Sequence, residues 1–245
     1  MAPRWILREV PNDAAVDALA ERLNDLPDAL ARTLVLRGID TFDTAKRFFR
    51  PTLTASHDPF LMRGMDAAVD RIVQAIDSDE TVVVYGDYDV DGTTATALMT
   101  RFLRSSGLPK TTYFVPNRFK NGYGLSPGGI DECYARGATL IVALDCGVTA
   151  VEEAKYARKL GIDLVICDHH KPGDELPDVA ALPDPKQPDC EYPFKELSGC
   201  GIGFKVIQAV LQRQGRSSAE ALPYLDLVAV STAADIVDLD GENRD

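Results

Sequence analysis

The chain has 245 residues, with 26 Lys plus Arg against 38 Asp plus Glu, a formal net charge of −12 and 45% hydrophobic residues. That balance is too apolar for a disordered chain and long enough to bury a core in one or two domains. No apolar run approaches the ~20 residues of a membrane span, and charge interrupts the opening MAPRWILREVPND before any signal-like segment, so a cytoplasmic protein with no membrane partner is expected. Five cysteines, Cys133, Cys146, Cys167, Cys190 and Cys200, lack CxxC spacing and read as reduced, mostly buried thiols. The acidic excess argues against a general phosphate-backbone binder and leaves any nucleic-acid contact to a local basic stretch.

Through about Ser78 the pattern is helical. Apolar residues recur as Ala15, Leu19 and Leu23, then Leu30 and Leu34, then Ala68, Ile72 and Ile76, punctuated by Pro11, Pro27, Pro51 and Pro59. From Thr81 short β-branched runs alternate with longer amphipathic segments, the pattern of βαβ units. Strands are expected at Thr81 to Tyr85, Thr111 to Val115, Thr139 to Leu144 and Asp163 to Cys167. Helices are expected at about Thr93 to Ser105, Pro127 to Arg136 and Ala150 to Leu160, with Ser126 and Thr149 as N-caps and Gly107, Gly137 and Gly161 as stops. A Pro-rich surface stretch follows Lys171, then helices at about Gly203 to Gln214 and Ala219 to Ala233. The fold class is therefore α/β, a parallel β-sheet flanked by helices with a helical N-terminal extension over residues 1–60 and the sheet domain over 61–245.

Ligands of a parallel sheet bind at its C-terminal strand edge. The first strand runs into Gly86-Asp87-Tyr88-Asp89-Val90-Asp91-Gly92, the third ends at Asp145 and the fourth delivers Asp168-His169-His170. Carboxylates that converge at neutral pH need an offset to their repulsion, and the usual one is a divalent cation. Oxygen ligands with one or two imidazoles and no thiolate suit manganese or magnesium. An EF-hand is excluded because its twelfth position here is Leu98 and a strand precedes it. A phosphatase reading with Asp89 as nucleophile and Asp91 as acid leaves the paired histidines idle, and Asp145 or the histidines taken singly could be ordinary turn and core residues. Cys146 as a nucleophile lacks a spare base. Gly199-Cys200-Gly201-Ile202-Gly203 follows a loop and reads as close helix packing rather than a dinucleotide site, with Lys205 still able to meet a phosphate. Pro116 to Gly124 joins basic, aromatic and glycine residues, as a loop gripping a nucleotide would. The alternative is a solvated turn with Phe119 tucked into the core.

Taken in order, Gly86 to Gly92, Asp145-Cys146-Gly147, Asp168-His169-His170 and Ala234-Asp235-Ile236-Val237 resemble motifs one to four of the DHH phosphoesterase superfamily. Val115 to Pro127, His169 to Gly173, Pro188 to Cys190, Arg37-Gly38-Ile39 and Asp58 to Leu61 resemble its single-strand-specific 5′ to 3′ exonuclease branch, so the likeness covers nearly the whole chain. Cys146 stands where that family usually has Asn, and Asp238 where it has Pro; neither removes a ligand. The resemblance implies a two-metal phosphodiesterase, using Mn2+ or Mg2+, that removes nucleotides from a 5′ end of single-stranded DNA in recombination and repair. It implies Asp89, Asp91, Asp145, His169 and Asp235 as ligands, Asp145 bridging two ions, and Asp87 as a further carboxylate in or behind the ligand set. Asp168 would orient the imidazoles, His170 would donate to the scissile phosphate, and Asn117, Arg118, Lys120 and Tyr123 would hold the substrate. The family continues into DHHA1-type and OB-fold domains beyond the position of Asp245, so the chain is expected to be the catalytic portion. It is expected to act as a monomer, with other repair proteins as further partners. A small-substrate DHH phosphodiesterase, acting on short oligonucleotides or cyclic dinucleotides, is the alternative; a metal-free scaffold is disfavoured because every motif carboxylate is present.

Overall fold

The computed structural model describes residues 4, 6, 8–50 and 56–244. Pro51, expected to punctuate the helical region, lies outside them, as do Asp245 and parts of the opening segment. The described chain forms two compact units, one of residues up to Ser56 with Arg244 and one of His57–Asn243.

The first unit holds α1 (Asp13–Arg22), α2 (Asp28–Val35) and α3 (Phe42–Phe49). Asn12 caps α1 by accepting the Ala14 amide, and a Thr41/Thr44 capping box opens α3. Val16, Leu19, Ala31, Leu34, Val35 and Ala45 form its core.

The second unit begins with α4 (Met65–Asp77) and then alternates strand and helix: β1 (Val82–Gly86), α5 (Val90–Ser105), β2 (Thr112–Phe114), α6 (Pro127–Ala135), β3 (Leu140–Leu144), α7 (Val151–Lys159) and β4 (Asp163–Cys167). The four strands are parallel in the order β2-β1-β3-β4. Val82 to Gly86 and Leu140 to Leu144 are buried at every position, as expected of a sheet covered on both faces. On one face Val82, Val84, Leu140, Val142, Leu144, Val165 and Cys167 pack with α4, α5 and α8 (Gly199–Arg213). On the other, Val83, Tyr85, Ile141, Ala143, Leu164 and Ile166 pack with α6 and α7. The chain passes from β1 out to β2 and then returns to the far side of β1 as β3. The order therefore reverses between β1 and β3, and the switch point lies between their C-terminal ends.

All four expected strands and the helices between them are present. Gly107, Gly137 and Gly161 have φ of 115°, 78° and 75°, the left-handed conformation that stops a helix. Ser126 caps α6 by accepting the Gly129 amide at 3.2 Å. Apart from α8, which opens at Gly199 rather than about Gly203, four details differ. First, α5 starts at Val90 rather than Thr93, because Asp89 accepts the Gly92 amide and folds the acidic motif into the first turn. Second, the cap of α7 is Ala150 with no side-chain bond, since a tight turn from Gly147 to Ala150 carries the entry in place of Thr149. Third, the helix expected from Ala219 to Ala233 is broken: Pro223 closes a 3₁₀ segment (Ser218–Tyr224), and α9 (Leu225–Ala234) follows. Fourth, the Pro-rich stretch is not wholly surface. Residues 181–185 are buried beside β4, with the Ile166 amide donating to Ala181 O at 2.9 Å and the Asp168 amide to Pro183 O at 3.2 Å. The stretch also donates, from the Ala180 amide to Leu164 O at 3.0 Å, and a proline can serve at position 183 because only its carbonyl is used there. The short α10 (Gly241–Arg244) ends the described chain. No helix among the described residues is long and apolar enough to cross a membrane.

Candidate metal centre

The strand ends at the switch point deliver the acids. Asp87 follows β1 and Asp145 follows β3, while Asp168 and His169 follow β4. Asp91 enters from the first turn of α5 and Asp235 from the C-terminus of α9. His169 Nε2 lies 3.1 Å from Asp145, 3.7 Å from Asp235 and 3.8 Å from Asp91. Three overlapping sets offer ligand atoms all within 4.8 Å of one another: Asp91, His169 and Asp235; Asp87, Asp89 and Asp145; and Asp145, His169 and His170. All six expected ligands, Asp87, Asp89, Asp91, Asp145, His169 and Asp235, thus fall into one cluster, with Asp145 close to both halves.

Electrostatically the cluster is under strain. Burial pushes the Asp145 carboxyl well above the usual range, and the charges of Asp91 and Asp89 add to it. Burial does the same at Asp87, aided by Asp89, and at Asp235, where the His169 charge opposes and Asp91 and Asp89 add. Among the described residues, neither oxygen of buried Asp87 and neither ring nitrogen of buried His169 makes a hydrogen bond; the 3.1 Å approach of His169 Nε2 to Asp145 lacks the geometry of one. Buried polar atoms left this way are expensive unless something else satisfies them. The donors are carboxylate oxygens and imidazole nitrogens without a thiolate. The residues present fit a hard or borderline divalent cation.

Asp91 is held by groups that the sequence did not disclose. Its carboxylate accepts the Gly199 and Cys200 amides at the start of α8, both at 2.7 Å, and the Ser231 hydroxyl lies 2.7 Å from it. The glycine run therefore supplies bare backbone at a helix N-terminus, where amides and dipole both favour an anion. A Cβ on Gly199 would stand 2.6 Å from that of Asp145 and one on Gly203 3.2 Å from Leu144, which is the close packing expected of the run. Lys205 does not reach toward a phosphate: it is buried and paired with Glu242 at 2.6 Å. Cys146 is buried with its thiol pushed up by burial and then by the Asp168 charge, unsuited to nucleophilic work.

Asp168 orients one imidazole, not two. It accepts His170 Nδ1 at 2.8 Å together with the amides of His169, His170 and Val148, while the His169 ring does not touch it. That bond raises the His170 pKa; burial works to raise Asp168, but the His170 bond and charge outweigh it and hold Asp168 low. His170 Nε2 is left 3.4 Å from the Tyr123 hydroxyl. Burial and the Asp145 charge push that phenol upward, so it keeps its proton.

The loop after β2 stands at this rim. Asn117 spends its side chain on the turn, accepting the Phe119 amide at 3.0 Å. Phe119 is 94% exposed, which counts against the alternative of a turn with Phe119 tucked into the core, and Arg118 and Lys120 are exposed beside it. The guanidinium of Arg118 lies over the Tyr88 ring.

Residues 81–232 match the model of the DHH family, N-terminal domain. The chain belongs to the DHH family. Asp235 lies just beyond the matched range, so its membership of the site comes from its position beside His169. Within the family the chain is 44% identical over 241 residues to the single-stranded-DNA-specific exonuclease RecJ of Bacillus subtilis, covering 98% of this chain and 30% of that protein. RecJ of Escherichia coli is 39% identical over 238 residues, covering 94% of this chain and 41% of the relative. The chain thus spans well under half of these curated relatives. The structure of RecJ from Thermus thermophilus in complex with Mn2+ superposes with a TM-score of 0.80 at 27% identity, over 98% of this chain and 33% of that one. A RecJ exonuclease bound to manganese superposes with 0.68 at 32% identity, over 75% and 46%. The parallel sheet flanked by helices is shared with this DHH fold.

Proposed function

We propose that this DHH chain is the catalytic portion of a metal-dependent exonuclease that degrades single-stranded DNA from the 5′ end. The observation that carries the reading is the convergence of five carboxylates and His169, with buried ligand atoms left unpartnered, at the switch point of the sheet. Support comes from the RecJ relatives named as single-strand-specific exonucleases and from RecJ structures that hold manganese. Catalysis is assigned to residues 61–245, and residues 1–60, which contribute α1 to α3, are read as an extension to that part. A monomer in the cytoplasm suits five free cysteines, and other repair proteins are further partners.

In this reading Asp91, His169 and Asp235 would hold one divalent ion, Asp87 and Asp89 would hold the other, and Asp145 would contribute to both. Two Mn2+ or Mg2+ ions, when bound, supply an activated water and stabilise the attacking and leaving oxygens of an in-line displacement. The amides of α8 and Ser231 fix the Asp91 carboxylate, so its aim does not depend on the substrate. Asp168 holds His170 with Nε2 outward, where it donates to the scissile phosphate. Arg118 and Lys120 meet the phosphate backbone, Tyr123 offers an aromatic face and a hydroxyl, and Asn117 shapes the loop that carries them.

The test uses single-stranded oligonucleotides labelled separately at each end, with manganese present. Release of the 5′ label first is expected; release of the 3′ label first, or equal attack on duplex ends, overturns the exonuclease polarity. His170→Ala should slow turnover with manganese still bound, whereas Asp145→Asn should lose both. Equal metal loss in the two variants contradicts the separate roles.

A further inference from the structure

Tyr88 stands between Asp87 and Asp89, yet no step above uses its side chain. Its half-buried ring lies under the Arg118 guanidinium, 5.5 Å from Cζ to ring centroid, and meets the Tyr123 ring edge-on at 6.1 Å. Tyr123 in turn meets the His170 ring edge-on at 6.5 Å. Arg118, Tyr88, Tyr123 and His170 therefore form one row along the rim of the acid cluster.

The tip of the Arg118 loop has few other restraints. Its main-chain hydrogen bonds stay inside the loop, from the Lys120 and Asn121 amides to Asn117 O at 2.9 and 2.8 Å. Its base is pinned at Gly124, whose carbonyl accepts the buried Tyr85 hydroxyl at 3.0 Å. Between base and tip, the stacking of Arg118 on Tyr88 is what sets where the guanidinium stands.

The charge arrangement makes that stacking consequential. Arg118 forms no ion pair among the described residues, although the ring that carries it is flanked in sequence by two carboxylates of the cluster. A guanidinium with five donors would find bidentate carboxylate partners there. Contact with Asp87 or Asp89 would occupy cation ligands and remove Arg118 from the substrate side. An aromatic face offers the cation a competing seat with the donors left free.

We infer that Tyr88 is a positioning residue whose ring holds Arg118 off the acid cluster and turned outward for a substrate phosphate. The inference rests on the proposed exonuclease reading for the nature of the substrate, but not for the placement of Arg118. The ring is what matters and the hydroxyl is not, so Tyr88→Phe should behave as wild type. Tyr88→Ala should weaken binding of a dT12 oligonucleotide roughly two- to fivefold, the size of an exposed cation–π contact. It should also lower the dependence of that binding on salt, as Arg118→Ala does when a phosphate contact is lost.

The experiment is a double-mutant cycle on the whole chain with Tyr88→Ala, Tyr88→Phe, Arg118→Ala and the Tyr88→Ala/Arg118→Ala double variant. It reads dT12 affinity by fluorescence anisotropy across a salt series and manganese affinity by calorimetry. The double variant should bind dT12 no worse than Arg118→Ala, and manganese binding weakened by Tyr88→Ala should be restored in it. Additive losses, or Tyr88→Phe as impaired as Tyr88→Ala, overturn the inference. Limited trypsin digestion of the oligonucleotide-free protein reads the loop without reference to DNA. Cleavage after Arg118 should be faster in Tyr88→Ala than in wild type or Tyr88→Phe, and equal rates overturn the inference even if wild type binds no DNA. Failure of wild type to bind or cut DNA, with the trypsin result as expected, would instead count against the exonuclease reading alone.

Discussion

Lys205 and Glu242 bury charges of opposite sign, whereas Asp87, Asp91 and Asp145 bury charges of one sign around His169. In the first cluster each charge meets partners of the same unit among the described residues. Glu242 accepts Lys205 at 2.6 Å, the His57 amide at 2.8 Å and the Tyr192 hydroxyl at 2.5 Å, and Lys205 also donates to His57 O at 2.9 Å. Burial acts to raise Glu242, but Lys205 and Tyr192 hold it low; Lys205 itself is pulled down, burial outweighing what Glu242 returns. In the second cluster no lysine or arginine among the described residues pairs with the acids, and Asp145, Asp87 and Asp235 are all pushed upward. One cluster is closed and ties His57, Tyr192 and α8 to Glu242. The other is open, and its repulsion is a standing affinity for a cation.

The sharpest way to break this contrast is Asp145→Asn. Cleavage should fall on the order of 10³-fold or more, because losing a bridging ligand removes several kcal/mol of transition-state charge stabilisation. The same variant should melt at a higher temperature than wild type once both are stripped of metal with a chelator, since the cost of burying that carboxyl beside Asp91 and Asp89 is gone. Lower stability in calorimetry would mean that the acids are internally compensated after all.

Lys205→Met should do the opposite. It removes the ammonium that faces buried Glu242 at 2.6 Å and should lower stability in urea unfolding, by up to about 3–5 kcal/mol. Its manganese affinity should match wild type, and a matching loss there would show that the two clusters are one network. Manganese at ~100 times its Kd should add about 2.7 kcal/mol of stability to wild type and to Lys205→Met alike. Asp145→Asn should gain far less, as read from melting curves with and without the ion.

The last effect is with pH, and the shifts fix its sign. Asp87, Asp145, Asp184 and Asp235 have folded values above the usual carboxylate range, Asp184 pushed up to about 7 mainly by burial. Their contribution is full below ordinary carboxylate values and is lost as pH rises through the folded ones. The metal-free melting temperature should therefore fall between about pH 5 and 8, and saturating manganese should flatten the fall. Asp168 and Glu242, held low, act only in stronger acid, where their contribution is lost as pH drops. A metal-free melting temperature that rises across that window would contradict the direction of the shifts.

Much of the open cluster was legible in the sequence because each strand of a parallel sheet ends on the same edge. A carboxylate written after Tyr85, after Leu144 and after Cys167 must meet the others there. Asp91 was legible as a member of the acid cluster but not as the first turn of a helix, since that depends on the Asp89 cap. Ser231 and the Gly199 and Cys200 amides were hidden because they lie more than a hundred residues from Asp91 and carry no charge signature. The faint signal for Ser231 is its place one helical turn before Asp235. The closed cluster was not legible at all. Lys205 and Glu242 are 37 positions apart in the sequence, and only the folded path of α8 brings them together. Pro183 and Asp184 looked like surface chain, because proline content hides the acceptor edge that β4 needs.

Asp145 sits at φ 60°, a left-handed backbone that among residues with a side chain Asp and Asn tolerate best. The position was therefore conformationally suited to a short polar residue before any ion is considered. Asparagine and glycine fit the same turn, and each is a single nucleotide change from an aspartate codon. Inactivation at this position meets no folding barrier to resist it. The carboxylate can thus be lost in one step without backbone strain, and nothing in the fold itself holds it in place.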